Sequence, residues 1–480
     1  MNVHSNQVFP EKGRSQADVI GFIRDARTRD LKNDGTAFAF AYDAGEAARA
    51  VAREAFAACM NVNGLDPTVY PSARTLENAV VGVCIELLRA PAGAVGTATA
   101  GGTESVILAV KSAREFAKKT RPEITAPKML LPITAHACFH KAAHYLGVEV
   151  VPVDVDPVTF RASVEDAKRK MTKDVILVVG SAPSYAHGVV DPITELAALA
   201  KSHGALMHVD ACVGGFALPF LRDVGVDVPP FDFTVDGVTS MSVDVHKYGF
   251  APKGVSVLVQ ARRELRDAQY YACAAWTGYS IVNSSILGSK STASLGAAAA
   301  LLGFLGKEGY RANAKKMWDA TTKLVGLVDA SDTLRMVGRP DMNLFAITPK
   351  HGDVFELADR LAERGWHVQP TYAFGPSPAH IHLTIDPGNA DRADAFGKDL
   401  LEASRDLPPP MDAPAPILAL LGAFESGGAG DLDPAAIMAG LGIADGQLPT
   451  RAAPIHRILN AASPKVREAL LVLFMGGLFS

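Results

Sequence analysis

The 480-residue chain is poor in cysteine: it has five, Cys59, Cys84, Cys138, Cys212 and Cys273. An odd set with no C-x-x-C pair argues against both a disulfide framework and a thiolate metal site, and suits a reducing, cytoplasmic setting. Excess positive charge is also missing, with 47 Lys and Arg against 51 Asp and Glu. That balance speaks against a nucleic-acid surface but leaves room for a local basic pocket that binds a phosphorylated substrate. The first thirty residues carry Arg14, Arg24, Arg27 and Arg29 without the apolar stretch of a signal peptide. The strongly apolar run from Ala469 to Phe479 is too short to span a bilayer and is interrupted by Gly476-Gly477. No stable membrane anchor, no internal repeat and no His/Cys spacing suited to a metal are expected.

What is present is a long alternation of apolar runs and helical stretches between about 128 and 258. The runs include Met129-Leu-Leu, Val175-Ile-Leu-Val-Val and Val255-Ser-Val-Leu-Val. Strands that are continuously apolar, alternating with helices, predict an α/β fold with a mostly parallel sheet covered on both faces. Ligands in such sheets collect beyond the carboxyl ends of the strands, and the chemically suggestive residues fall there. Val238 to Val243 reads as a buried strand that breaks into Asp244-Val-His246-Lys247. This delivers a lysine into a crowded turn, where desolvation and cationic neighbours are expected to lower its pKa and free the amine to attack a carbonyl. Asp210 closes Met207-His208-Val209, a carboxylate at a strand end. Gly101-Gly102-Thr103-Glu104-Ser105 opens a helix whose free N–H groups make an anion site.

As an ordered set these segments resemble the pyridoxal-phosphate (PLP) group II decarboxylases, and most closely the sphingosine-1-phosphate lyases. The strongest element is SVDVHKYGFAPKG, residues 242–254. The resemblance implies a fold type I, aspartate-aminotransferase-like large domain with a smaller α/β C-terminal domain. Lys247 then carries the cofactor with His246 beside it, and Gly102 and Thr103 receive its phosphate. His136, in Thr134-Ala-His136, stacks on the pyridine ring, and Asp210 faces the ring nitrogen, keeping it protonated so that the ring acts as an electron sink. Tyr185 brackets the substrate as a catalytic group. Lys253, in the Ala-Pro-Lys-Gly continuation, contacts the substrate phosphate together with Tyr42 and either Asn63 or His246. In relatives the tyrosine matching Tyr42 reaches into the neighbouring subunit, and the turn at Gly288 and Ser289 serves the partner's cofactor. A homodimer with shared active sites follows, acting on a phosphorylated sphingoid base. His187, His208 and Cys212 are expected as supporting groups.

The chain departs from the family pattern at Asp66, where relatives have histidine, and at Lys290 and Ser291, where they have Arg-Pro. An anion at 66 would repel a nearby phosphate unless it points away or is paired. The expected division is a helical arm over 1–62, a cofactor-binding domain over 63–330, a small domain over 331–407, and a Pro-rich linker with a helical tail over 408–480. Two rival readings use the same sequence: an amino-acid decarboxylase, sharing Lys247, Asp210 and His136 but binding a carboxylate, and a PLP-binding scaffold without activity. The catalytic base is left unassigned.

Overall fold

The computed structural model describes residues 9–411 and 451–478, with Gly422 and Glu425 between them. Of the Pro-rich run 408–416, only the part up to Met411 lies within the described residues. The centre is a seven-stranded sheet made of β1 (Val95–Thr99), β2 (Lys128–Pro132), β3 (Glu149–Val153), β4 (Val175–Ser181), β5 (Leu206–Asp210), β6 (Ser240–Val243) and β7 (Ser256–Gln260). They lie in the order β1-β7-β6-β5-β4-β2-β3. Five strands from β3 to β6 are parallel, and β7 is antiparallel to both β6 and β1. β1 therefore points the same way as β6, and its end reaches the same sheet edge. Every residue of β4 and β5 is buried, as continuously apolar strands covered on both faces must be.

Register then does the positioning. Ser181 of β4 pairs with Asp210 of β5, and Asp210 with Ser242 of β6, so three polar side chains stand abreast where the strands end. The helix Gly102–Thr120 starts beside them, three residues after β1.

A second sheet is antiparallel, with strands Leu334–Met336, Leu344–Pro349, His380–Thr384 and Gln369–Thr371 in that spatial order. The helix Ala293–Asp329 leads to it, and its axis is broken at Gly306, whose φ of 54° is open to glycine at little cost. Thr36 to Tyr42 is a packed loop that joins this unit. Phe38 is fully buried and stacks on Phe396 at 4.0 Å, its N–H donates to His367 O at 2.8 Å, and its carbonyl accepts from Thr384 N–H at 2.7 Å. Near the end of the chain, the helices Ala453–Ala461 and Pro464–Leu478 bury Ile455, Ile458, Val466 and Leu470, while Leu473 and Phe474 are half-buried.

Candidate active site

Beyond the strand ends lies a cavity of about 860 Å³ lined by Tyr42, Gly102, Thr103, His136, Tyr185, Asp210, Asp244, His246, Lys247 and Lys253, among others. Nine of the twelve residues singled out from the sequence thus converge, although they are spread over more than two hundred positions.

Lys247 is delivered by a tight turn after β6. Its N–H donates to Asp244 O at 3.1 Å, and Asp244 N–H donates to Cys212 O at 3.1 Å. A turn with this i,i+3 bond puts both side chains on one side, and Lys247 Nζ lies 2.9 Å from Asp244 Oδ2. The expected lowering of the Lys247 pKa is corrected here. Burial, the largest single influence, pushes it down, but Asp244 together with Cys212 and Tyr42 outweighs burial and holds the ammonium above the ordinary lysine range. Asp244 is itself buried, and its Oδ1 has no hydrogen-bond partner among the described residues. His246 stands nearby, Nε2 at 3.6 Å from Asp244 Oδ2, with Nδ1 accepting from Val255 N–H at 3.3 Å. Its pKa is lowered, chiefly by burial.

Asp210 Oδ1 accepts from Cys212 N–H at 3.0 Å and from Ser242 Oγ–H at 3.2 Å. Ser242 in turn lies 3.2 Å from His208 Nε2, whose Nδ1 is 2.8 Å from Ser240 Oγ, so His208 and Cys212 both support Asp210. Burial raises the Asp210 pKa, but these hydrogen bonds and the nearby His136 and Lys247 outweigh it and keep the carboxylate ionised. Among the described residues no cation pairs with it at salt-bridge distance. His187 lies away from the cavity, its Nε2 2.9 Å from Ser377 Oγ.

The described residues fit the phosphorylated pyridine cofactor. A buried carboxylate without a counter-cation is costly, and a protonated ring nitrogen would supply one at Asp210. At Gly102 a Cβ would come within 2.8 Å of the Asp244 carboxylate and 2.9 Å of Cys212 Sγ, so only glycine lets the helix start approach this closely. Glu104 closes the same loop: Oε2 accepts from Ala100 N–H at 2.5 Å and Oε1 from Ile286 N–H at 2.6 Å. His136 lines the cavity with its ring held by Nδ1, which accepts from Cys138 N–H at 3.2 Å.

The cavity mouth is built from loops. Lys253 is exposed as a residue, yet its ammonium sits 4.6 Å from the Tyr42 ring centroid and donates to His246 O at 3.0 Å. Enclosure of the ammonium, then the charge of Lys247, lower its pKa to about 8. Tyr42, expected to cross to another subunit, instead lines the cavity of its own chain, edge-on to Tyr248 at 5.1 Å. Tyr185 lines the same cavity, stacked on His382 at 4.1 Å. Burial raises the pKa of both tyrosines, so both are phenols.

Asn63 is not brought in. Its Oδ1 accepts from Leu65 N–H at 3.0 Å and Lys290 N–H at 3.3 Å, which ties two loops together outside the cavity. Gly288 and Lys290 line a separate cavity with Asp66, and Ser289 lines neither. Asp66 is spent on its own turn, Oδ1 accepting from Thr68 N–H at 2.8 Å and Thr68 Oγ1–H at 2.6 Å, and these bonds lower its pKa.

Sequence reasoning missed Asp244 as the partner of Lys247 and missed the wall residues Gln369 and Thr371. The first could have been read from the Asp-x-x-Lys spacing in a turn; the second pair carries no local signal.

A family model for the pyridoxal-dependent decarboxylase conserved domain matches residues 3–347, and a model for the C-terminal HTH domain of pyridoxal-dependent enzymes matches 415–477. The chain is 38% identical to the sphingosine-1-phosphate lyase of Arabidopsis thaliana over 410 residues, 83% of this chain and 74% of that one. It is 35% identical over 341 residues to the "Probable L-tyrosine/L-aspartate decarboxylase" of Methanothermobacter thermautotrophicus, 70% of this chain and 89% of that one. Among solved structures, the sphingosine-1-phosphate lyase Bpss2021 of Burkholderia pseudomallei superposes with a TM-score of 0.81 at 30% identity, covering 90% of this chain and 99% of that one.

Proposed function

The chain belongs to the sphingosine-1-phosphate lyase branch of the pyridoxal-dependent decarboxylase family, and on that premise we propose that it cleaves the C2–C3 bond of a phosphorylated sphingoid base, releasing a long-chain aldehyde and phosphoethanolamine. The observation that carries this reading is the placement of the Lys253 ammonium over Tyr42 at the mouth of the cavity that holds Lys247 and Asp210. A cation at the mouth suits a phosphate ester whose amine lies further in.

Bound pyridoxal phosphate supplies an electron sink for the pair left at C2 when the bond to C3 breaks. Lys247 would hold the cofactor and yield its place to the substrate amine. Asp244, 2.9 Å away, is placed to take up and return the lysine proton. Asp210 would keep the ring nitrogen protonated, His136 would cover the ring, and Gly102 and Thr103 would bind the cofactor phosphate at the helix start. The C3 hydroxyl gives up its proton as C3 becomes the aldehyde carbon, and C2 gains one to complete the amine product. Lys253 and Tyr42 would hold the substrate phosphate, and Tyr185 faces the same space.

The proposal extends to a cytoplasmic homodimer that offers the Gly288–Ser289 turn to its second copy. Among the described residues no helix is long and apolar enough to cross a membrane. The archaeal relative favours one alternative, an amino-acid decarboxylase, which would release carbon dioxide. Purified holoenzyme incubated separately with a phosphorylated sphingoid base and with tyrosine, aspartate or glutamate decides between them. The lyase reading requires aldehyde from the first, and carbon dioxide from the amino acids without aldehyde from the sphingoid base overturns it.

A further inference from the structure

One wall of the cavity comes from a weakly held element. Gln369 and Thr371 line the cavity, yet their strand has three residues, none fully buried, and lies at the sheet edge, paired only to His380–Thr384. A short edge strand with one neighbour has few bonds to fix its position.

The missing support comes from the end of the chain. Tyr372, the residue after this strand, has its hydroxyl 3.0 Å from His456 Nδ1, and the Arg467 guanidinium lies 4.6 Å from its ring centroid. The next residue, Ala373, donates its N–H to Asn460 Oδ1 at 2.8 Å. Burial raises the Tyr372 pKa and lowers that of His456, so both are neutral near pH 7 and the bond between them is uncharged. The helix Ala453–Ala461 that presents His456 and Asn460 is anchored independently. Asp359 accepts from Ala452 and Ala453 N–H at 3.0 Å each, Arg457 Nε pairs with Asp353 at 2.6 Å, and Arg451 pairs with Glu356 at 2.6 Å. His456 also stacks on Phe355 at 5.6 Å. The helix therefore has a seat of its own and reaches from it to the wall.

We propose that His456 and Asn460 are positioning residues of the active site: from the C-terminal helix they hold Tyr372 and Ala373, and through them set the wall formed by Gln369 and Thr371. The proposal rests on the lyase reading for its substrate, but its structural half does not. Neither residue touches the cavity, so their loss weakens substrate binding and leaves the chemical step nearly intact.

The test uses full-length holoenzyme with His456→Phe, which keeps the stack on Phe355, and separately Tyr372→Phe and Asn460→Ala. Backbone hydrogen exchange over 369–373 is followed alongside kcat and KM for a phosphorylated sphingoid base. The expected result in each variant is exchange about threefold to tenfold faster in this segment alone, as for one lost hydrogen bond. KM rises by a similar factor, kcat changes less than about twofold, and cofactor absorbance is unchanged. A His456→Phe/Tyr372→Phe double variant should add nothing beyond either single change. Unchanged exchange in all three variants, or unchanged KM despite faster exchange, overturns the proposal. If the wild-type holoenzyme releases no aldehyde, the lyase reading fails, and the exchange data alone decide whether the tail holds the wall.

Discussion

The cofactor end of the cavity and its mouth are built differently. Asp210 and Asp244 are buried at the ends of two adjacent strands and joined through Cys212 by hydrogen bonds, and the Gly102 helix start follows β1 of the same sheet. The mouth is assembled from Tyr42 in an N-terminal loop, Lys253 beyond the lysine turn, and Gln369 and Thr371 from a second sheet. Chemistry that needs charges held at fixed separation uses the rigid ends of the central strands, whereas recognition, which can differ between relatives, uses loops and a short edge strand.

This contrast predicts large effects at the strand ends and graded ones at the mouth. Lys247→Ala should reduce turnover roughly 10³-fold or more, since no other amine replaces it, and aldehyde release measures this. Asp244→Asn strips the buried partner from Lys247. It should cost about 3 kcal/mol of stability by chemical denaturation and roughly 10²-fold in kcat. A stable, fully active Asp244→Asn protein would break the distinction between the two ends.

At the mouth the effect should follow pH. Lys253, with its pKa lowered to about 8, is an ammonium below that value and neutral above it. Free-enzyme kcat/KM for a phosphorylated substrate should therefore fall as pH rises through about 8, and Lys253→Arg should move that fall upward, because arginine stays charged. Smallest of all should be Asp66→His, which exchanges a side chain occupied with its own turn outside the cavity. Activity should stay within about twofold of wild type, and a large loss would mean that the second cavity takes part in recognition.

The same contrast describes how much was legible beforehand. Lys247, Asp210 and the Gly102-Thr103 helix start were readable because each lies in a contiguous segment where a strand or loop ends, and local pattern carries that information. The mostly parallel sheet was readable from continuously apolar strands. The protonation of Lys247 was misread: Asp244 stood in the same turn, but its pairing depends on the i,i+3 bond that closes the turn. Asn63 was misplaced because an Asx turn uses up its side-chain oxygen, and motif position does not reveal that. Gln369 and Thr371 belong to a second sheet reached only after a long helix bent at Gly306, and no local window shows that they line the cavity.

The most direct test compares kcat/KM for a phosphorylated sphingoid base with that for its unphosphorylated analogue, in wild type and in Lys253→Ala. Removing a charge-assisted contact should lower the value for the phosphorylated substrate by about 10- to 150-fold, roughly 1.5–3 kcal/mol, and affect the analogue much less, so that the preference collapses. A preference that survives intact in Lys253→Ala would contradict the assignment of the cavity mouth to phosphate recognition.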